Sequence, residues 1–381
     1  MKIAYMLGSL NRGGMETLLL DVFKNASKAS FDFIGIHRKD GALKNDFQAT
    51  GQKLICLSPK FPFDLLYFYK LRKLLKSENI QIVHAQQPID ALYAWIATLF
   101  STIKVVLTFH GFGNFEKNRL TDFIIKRTDK NIFVSDYQRE FYTKKYHLKP
   151  EKQQTVYNGV SFEKIDSANE IPDFLCHCGL DPQSPNNSGD SDFRRNDRTK
   201  LKMAMIGNFV SVRDQHTVCR FLKLLHNESV AFDFYFIGKK SDTEPWLYDD
   251  CVQYCSENGL QDYVHFLGSR NDVPAILKNM DAFVYSTDHD TFGIAVVEAM
   301  AARIPVFVND WEVMVEISNH GEWATIYKSK DENDLLAKFM LFLQQKEIYQ
   351  QKAINTSAKV RETFSIEKHL QNLAKEYQRV L

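Results

Sequence analysis

The chain has 381 residues, 44% of them hydrophobic and 25% charged, enough apolar material for two or three domains with real cores. That composition excludes collagen-like, coiled-coil and wholly disordered chains. The formal net charge of +1 offers no global field for nucleic acid, but it is unevenly divided, with 25 Lys and Arg against 18 Asp and Glu up to Leu175 and 23 against 29 beyond it. The basic first half is therefore expected to face an anionic partner. Strands are predicted at Lys2–Leu7, Phe31–Ile36, Lys53–Leu57, Gln81–His84, Lys104–Phe109 and Asn131–Val134. Helical-period stretches such as Glu16–Lys28, Phe63–Lys76 and Ile89–Phe100 separate them. This alternation predicts a doubly wound parallel sheet.

From about Asp166 to Lys200 the pattern gives way to Pro, Ser, Asn, Asp and Gly, as in Asn186-Asn187-Ser188-Gly189. Such composition marks a domain boundary carrying a loosely ordered insert. Alternation then resumes, with strands at Lys202–Ile206, Phe232–Ile237, Val264–Leu267, Ala282–Tyr285 and Ile304–Val308. Helices are predicted at His216–His226, Glu244–Asn258, Val273–Asn279, Gly293–Ala302 and Asp334–Gln345. The expected organisation is α/β: two doubly wound Rossmann-like domains, 1–170 and 201–365, facing each other across a cleft. The polar insert occupies 171–200, and a final amphipathic helix, 366–381, packs back on the first domain. Ligands of open α/β sheets bind outside the carboxyl ends of the strands, so the active site is expected between the domains.

Six cysteines in so long a chain are no disulfide framework. Cys176-His177-Cys178 and Cys251 with Cys255 could be combined into a zinc site, but neither spacing is the two-residue gap of a zinc ribbon. No metal is expected. Met1 to Gly8 is too short and too soon interrupted for a signal peptide, and the longest apolar run, Ala91–Phe100, is too short for a bilayer. The default compartment is a reducing cytoplasm.

Chemistry concentrates at two turns. After the first strand, Asn11-Arg12-Gly13-Gly14-Met15-Glu16 lets a ligand approach a helix N-terminus, where free N–H groups favour phosphate. It lacks the G-x-G-x-x-G dinucleotide fingerprint, which counts against an NAD enzyme. Further on, Tyr285 ends a strand, a polar loop runs to Asp290, and a helix opens near Gly293. The amides of Phe292, Gly293 and Ile294 suit a diphosphate, while Asp290 and Glu298 suit sugar hydroxyls. A nucleotide sugar presents both. Glu298, flanked by Ala295-Val296-Val297 and Ala299-Met300-Ala301, needs a partner.

This segment resembles the signature of retaining, two-domain glycosyltransferases of the GT-B type, glycosyltransferase family 4. That signature has two glutamates separated by seven residues with Gly-Phe-Gly after the first. Here Asp290 stands at the first glutamate, Glu298 at the second, Phe292-Gly293 match, and Thr291 replaces the first glycine. Gly13-Gly14 resemble the family's N-terminal glycine loop, and Thr108-Phe109-His110-Gly111 its strand-end histidine motif. Phe133-Val134-Ser135 and Val156-Tyr157-Asn158-Gly159-Val160 resemble the close of its first domain. Ile206 to Asp214 resembles the opening of its second, with Asn208 where Arg is common and Arg213 where Lys is common. Val264 to Arg270 resembles the stretch that cups the nucleotide base.

The resemblance implies a hexosyltransferase acting without metal or cofactor, its donor substrate a UDP- or GDP-sugar. Arg213 and helix amides would hold the diphosphate, Asp290 the sugar, Glu298 the ribose, and His110 would sit near the reacting sugar. His110, Arg213 and Asp290 are the expected catalytic residues. Gly13, Gly14, Asn208, Arg270, Phe292, Gly293, Ile294 and Glu298 are the expected donor-binding ones. The acceptor would be a glycan or polyprenyl-linked sugar in surface polysaccharide synthesis. Pro59 to Lys73 interleaves aromatics with bases, either to rest on an anionic inner membrane face or to bury its aromatics on the sheet. Two other readings stay open: a sugar-nucleotide epimerase, and a non-catalytic nucleotide-sugar-binding partner subunit, which Asp290, Thr291 and Asn208 would favour.

Overall fold

The computed structural model describes residues 1–112, 119–168, 172 and 200–381. Cys176, His177, Cys178 and nearly all of the predicted insert lie outside the described residues. The described chain divides into two units, Met1–Ser161 with Thr363–Leu381, and Phe162–Glu362.

The first unit holds seven strands: β1 (Lys2–Ser9), β2 (Asp32–Lys39), β3 (Leu54–Cys56), β4 (Ile82–Ala85), β5 (Lys104–Phe109), β6 (Lys130–Phe133) and β7 (Gln153–Thr155). Six helices join them: α1 (Gly14–Lys24), α2 (Lys44–Ala49), α3 (Leu65–Ser77), α4 (Pro88–Thr98), α5 (Arg119–Ile124) and α6 (Asp136–Tyr146). The sheet is parallel, in the order β3-β2-β1-β4-β5-β6-β7. Every residue of β4 is buried, as a parallel strand covered on both faces requires. Local chemistry starts the helices. Asp64 caps α3 by accepting from the amides of Leu66 and Tyr67, Ser135 caps α6, and Pro88 opens α4.

The second unit begins with α7 (Glu163–Ser167), which packs with the helix Val273–Lys278. Lys278 Nζ also donates to the carbonyls of Asp166 and Ala168 at 3.1 and 2.8 Å, so the first stretch ends at Ser161. Its strands are β8 (Leu201–Ile206), β9 (Phe232–Ile237), β10 (Val264–Phe266), β11 (Ala282–Tyr285), β12 (Val306–Asn309) and β13 (Thr325–Tyr327). They form a parallel sheet in the order β10-β9-β8-β11-β12-β13. Its helices are α8 (Gln215–Asn227), α9 (Trp246–Glu257), α10 (Val273–Lys278), α11 (Ile294–Ala301), α12 (Glu312–Ile317), α13 (Glu332–Gln344) and α14 (Lys346–Phe364).

The chain returns to the first unit at Thr363, and α15 (Ile366–Val380) completes that unit's core. Ile366, Leu370, Leu373 and Tyr377 join Tyr5, Phe31 and Phe33 there. A buried ion pair, Lys130 Nζ to Glu376 Oε2 at 3.1 Å, anchors the same helix. Apart from the additional edge strand β7, the two sheets share one strand order, and in both it reverses beside the first strand, between β1 and β4 and between β8 and β11. A reversal of this kind leaves a crevice outside the carboxyl ends of the strands.

The edge strands β7 and β13 and the helix α14 were not anticipated. The two strands are three residues long and half-buried, too short for a pattern of period two. The sequence of α14 is polar on most of its circumference, and few of its side chains are buried.

Candidate active site

In the second unit the loops after β8 and β11 flank the reversal and are laced together. Asp214 N donates to Ser286 O at 3.2 Å, Asp288 N to Val212 O at 3.1 Å and Thr287 Oγ1 to Val212 O at 2.5 Å. Arg213 and Thr287 form an antiparallel bridge. Asn309, at the end of β12, clamps Thr287 through both its amide (3.0 Å) and its carbonyl (2.8 Å). This lacing sets Arg213 Nη1 3.2 Å from Asp290 Oδ1.

Three further groups define the pair. Tyr285 OH donates to Asp290 Oδ2 at 2.6 Å, and the Arg213 guanidinium lies 5.4 Å from the Tyr285 ring centre. Trp311 Nε1 donates to the Asp290 carbonyl at 2.8 Å. Burial holds Tyr285 well above the ordinary tyrosine pKa, so it remains a donor. Burial also works against the charge on Arg213, yet Asp290 and Tyr285 beside it raise its pKa above the ordinary value. Arg213 Nε and Nη1 are buried without an aligned hydrogen-bond acceptor among the described residues. Unsatisfied guanidinium donors of this kind are costly, and an entering anion would satisfy them. Gly207 makes the room: a Cβ there would stand 3.0 Å from Arg213 Nε.

Helix α11 opens beside this pair. Gly293 is its N-cap with φ of +82°, in the left-handed region, and no side chain caps it. Its first N–H groups therefore lack intrahelical acceptors, and its dipole favours an anion. Val296, Val297, Ala299, Met300 and Ala301 are buried, leaving Ile294, Ala295 and Glu298 half-exposed on one face. Phe292 is itself a core side chain.

Two of the expected donor-binding residues have partners within the unit. Asn208 Oδ1 accepts from Lys239 N at 2.8 Å, tying the loops after β8 and β9 together. Arg270 forms a two-point pair with Asp272, at 2.9 and 2.6 Å. Sequence reasoning missed the supports: Tyr285, Trp311, Asn309 and Asp214. Asp214 caps α8 through Thr217 N, accepts from Ser286 Oγ at 3.1 Å and lies 3.4 Å from Lys330 Nζ. Burial opposes its ionisation, but Thr217 and Lys330 outweigh it and lower its pKa. An Asp just before a helical-period stretch is a legible cap signal.

In the first unit, Gly13 is the extended N-cap of α1, and a Cβ added at Gly14 would meet nothing within 4 Å. His110 follows β5 and Gln86 follows β4; His110 Nε2 lies 2.7 Å from Gln86 Oε1. A carboxamide oxygen can only accept, so Nε2 carries a proton. Burial, with His369 nearby, pushes the His110 pKa down to about 3, so the ring is neutral near pH 7. Beneath it His84 Nδ1 meets Tyr377 OH and its Nε2 meets Thr108 Oγ1, both at 2.6 Å. His37, Asp40 and Cys56 bring three potential metal-ligand atoms within 4.8 Å of one another. Lys44 Nζ, however, already lies 2.7 Å from Asp40 Oδ2. Among the described residues no helix is long and apolar enough to cross a membrane.

Comparison with known proteins agrees with these observations. Residues 12–164 match the family described as Glycosyltransferase Family 4, and residues 190–360 match Glycosyl transferases group 1. The UDP-Gal:alpha-D-GlcNAc-diphosphoundecaprenol alpha-1,3-galactosyltransferase of Escherichia coli is 24% identical over 325 residues, covering 81% of this chain and 79% of that protein. The N-acetyl-alpha-D-glucosaminyl L-malate synthase of Bacillus anthracis is 24% identical over 324 residues, 81% of this chain and 77% of its own. Among solved structures, Anabaena HepE in complex with UDP and glucose superposes with a TM-score of 0.81 at 17% identity, over 99% of both chains. A glycosyltransferase from Rickettsia africae gives 0.82 at 18% identity, over 100% of this chain and 98% of that one. Two matched profiles spanning most of the chain, on a pair of Rossmann-like sheets, establish that the protein is a glycosyltransferase of the GT-B fold and belongs to glycosyltransferase family 4.

Proposed function

We propose that the protein transfers a hexose-type sugar from a UDP- or GDP-sugar to a glycan or polyprenyl-linked acceptor, with retention at the anomeric carbon, in surface polysaccharide synthesis. The observation that carries the donor side is the Arg213 guanidinium, buried with unsatisfied donors beside Asp290 and the open end of α11. Support for the acceptor class comes from relatives named for diphosphoundecaprenol-linked sugars in Escherichia coli and Campylobacter jejuni and for capsular polysaccharide synthesis in Staphylococcus aureus.

In this reading the bond between the anomeric carbon and the diphosphate oxygen breaks as the acceptor hydroxyl attacks from the same face. Negative charge grows on the departing phosphate, where Arg213 and the first amides of α11 stabilise it. A phosphate oxygen of the leaving group takes the acceptor's proton. Asp290, steadied by Tyr285, accepts from hydroxyls of the sugar, and Glu298 from those of the ribose. Neutral His110 orients the sugar. Positive charge on the diphosphate is supplied by the protein, so the reaction is assigned no metal and turnover should survive EDTA. The place of action is the cytoplasmic face of the membrane that holds the acceptor.

The test is incubation with UDP- and GDP-sugars, followed by nucleotide release and the anomeric proton coupling of the product. Release with an unchanged anomeric configuration is expected. An inverted product, an epimerised donor, or saturable binding with no turnover would overturn the reading.

A further inference from the structure

We propose that His37, Asp40 and Cys56 form a zinc site at the carboxyl ends of β2 and β3, apart from the residues assigned to the transfer reaction. No spacing motif announces it, because the sheet brings the three together. His37 and Cys56 are register partners on two parallel strands, so their side chains leave the same face. Asp40 directly follows β2. One ring nitrogen of His37, one carboxylate oxygen of Asp40 and Cys56 Sγ lie within 4.8 Å of one another. Ligand atoms bound to zinc at about 2.0–2.3 Å stand roughly 3.3–3.8 Å apart around a tetrahedron. His37 is buried, whereas Asp40 and Cys56 are exposed, so a small inward turn of those two closes the triad.

The surroundings suit a cation. His37 Nδ1 lies 3.1 Å from the Lys39 carbonyl and 3.7 Å from Asp40 Oδ1. A carbonyl and a carboxylate only accept, so what the ring presents to them is positive, a proton or a metal in its place. Lys44 Nζ holds Asp40 through Oδ2, at 2.7 Å, which leaves Oδ1 for the site. An ammonium on the outer oxygen orients a ligating carboxylate, as outer-shell partners of metal sites do. Asp40 and a Cys56 thiolate together neutralise the metal's charge, and the thiol proton is released on binding. Sulfur beside nitrogen selects zinc over calcium or magnesium, which take oxygen ligands. The consequence follows from the backbone. The edge strand β3 has three residues. The loop after β2 is laced to the start of the glycine loop: Leu10 N donates to Lys39 O at 3.2 Å and Leu43 N to Leu10 O at 2.8 Å. Zinc therefore clips the edge strand to β2 and stiffens the support of Asn11-Arg12-Gly13-Gly14. Its role is structural.

The experiment titrates the EDTA-stripped full chain with zinc by calorimetry and with cobalt(II) by visible absorption. A thiolate-to-cobalt charge-transfer band is expected. Zinc a hundredfold above its Kd should raise the thermal transition of the first unit by roughly 5 °C or more. Cys56→Ser, at an exposed position, should keep the fold by circular dichroism and erase the band. It should weaken zinc about a hundredfold or more, since losing an outer-shell partner alone costs 10–100-fold. Asp40→Asn should weaken zinc while the band persists, because the sulfur remains. The inference falls if no band appears, if the band survives Cys56→Ser, or if zinc leaves the first unit's transition unmoved. A band that survives Cys56→Ser and goes with Cys251→Ser and Cys255→Ser gives the metal to the second unit and overturns the inference equally. Nucleotide release that stops in EDTA would instead strike the metal-free transfer and leave the zinc titration to decide the site.

Discussion

At the carboxyl ends of β4 and β5 in the first sheet the polar groups are uncharged, His110 on Gln86 and His84 between Tyr377 and Thr108, while a buried ion pair, Arg38 with Asp90 at 2.6 Å, lies farther along that edge beside β2. At the corresponding edge of the second sheet they are ionic: Arg213 against Asp290, and Lys330 against Asp214 and Asp288. The strand order is the same, so the contrast comes from a handful of side chains at the strand ends. A sheet edge of this kind accepts either chemistry, because the neighbouring loops can satisfy buried polar groups locally. An ionic edge suits a diphosphate, whereas a neutral one suits sugars and alcohols, which carry no charge to pair. Each unit can be broken separately, and the expected effects run from large to small.

The largest effect should come from the ionic edge. Arg213→Ala removes the group assigned to the departing phosphate, and donor turnover should fall at least a thousandfold, about 4 kcal/mol or more. It also strands Asp290 and weakens a buried pair, so folding must be checked by circular dichroism. Arg213→Lys keeps the charge but loses the planar fork, and should recover only part of the rate. Near-normal turnover by the alanine variant would erase the distinction between the two edges.

The neutral edge makes its own prediction through pH. Burial pushes His110 down to about 3 and His369 to about 4, and lowers His84 as well. A histidine whose folded pKa lies below its unfolded value costs nothing above about pH 6.5. As the pH falls below that value the unfolded chain takes up protons the folded chain refuses. The loss grows until the folded pKa is reached. At pH 5, His110 and His369 together should cost the first unit about 4 kcal/mol. In the second unit His216 is shifted upward by its hydrogen bond to Cys251 and gains on acidification, which offsets the loss from Cys251, held down to about 6 by Cys219 and His216. Scanning calorimetry between pH 7 and pH 5 should show one transition dropping steeply while the other moves little. Transitions that shift in parallel would refute the assignment.

These two edges were not equally legible. Arg213 and Asp290 came from two motifs 77 residues apart in the chain, and the sheet brings them to 3.2 Å because the loops after β8 and β11 border the same reversal. The strands themselves were readable because a strand buried on both faces is continuously apolar, as in β11, or nearly so, as in β9, where Asp233 is the exception. The supports were not. Tyr285 reads as one more apolar strand residue, and nothing local says that its hydroxyl emerges beside Asp290. Gln86, in a polar turn, gives no sign that it fixes the proton on His110. Nothing local says that Asn208 Oδ1 accepts from Lys239 N or that Arg270 forks onto Asp272. Such partners are set by rotamers and loop paths, which periodicity does not encode.

A smaller effect is expected at Tyr285. Tyr285→Phe deletes one hydroxyl and leaves the ring under Arg213, so packing is kept while Asp290 loses its 2.6 Å donor. A hydrogen bond to a charged acceptor is worth about 1.5–3 kcal/mol. Donor kcat/KM should fall about tenfold or somewhat more, with the thermal transition of the second unit little changed. An equal loss in stability and none in rate would make Tyr285 a core residue only.

The smallest effect should come from Gly293, and it separates backbone from charge at the ionic edge. Gly293 holds φ at +82°, and a Cβ there would come within 2.9 Å of Met314 Cε, the end of a flexible side chain. Gly293→Ala therefore costs mainly the left-handed conformation, about 1 kcal/mol, plus a shift of Met314. If α11 merely packs, the second unit should lose that stability and the enzyme should keep its donor KM. If its first amides hold the diphosphate, the added methyl beside Asp290 (3.6 Å from Oδ2) should raise the KM severalfold at the same cost in stability. A KM that stays put would leave Arg213 as the sole anchor of the anion and confine the ionic edge to side chains.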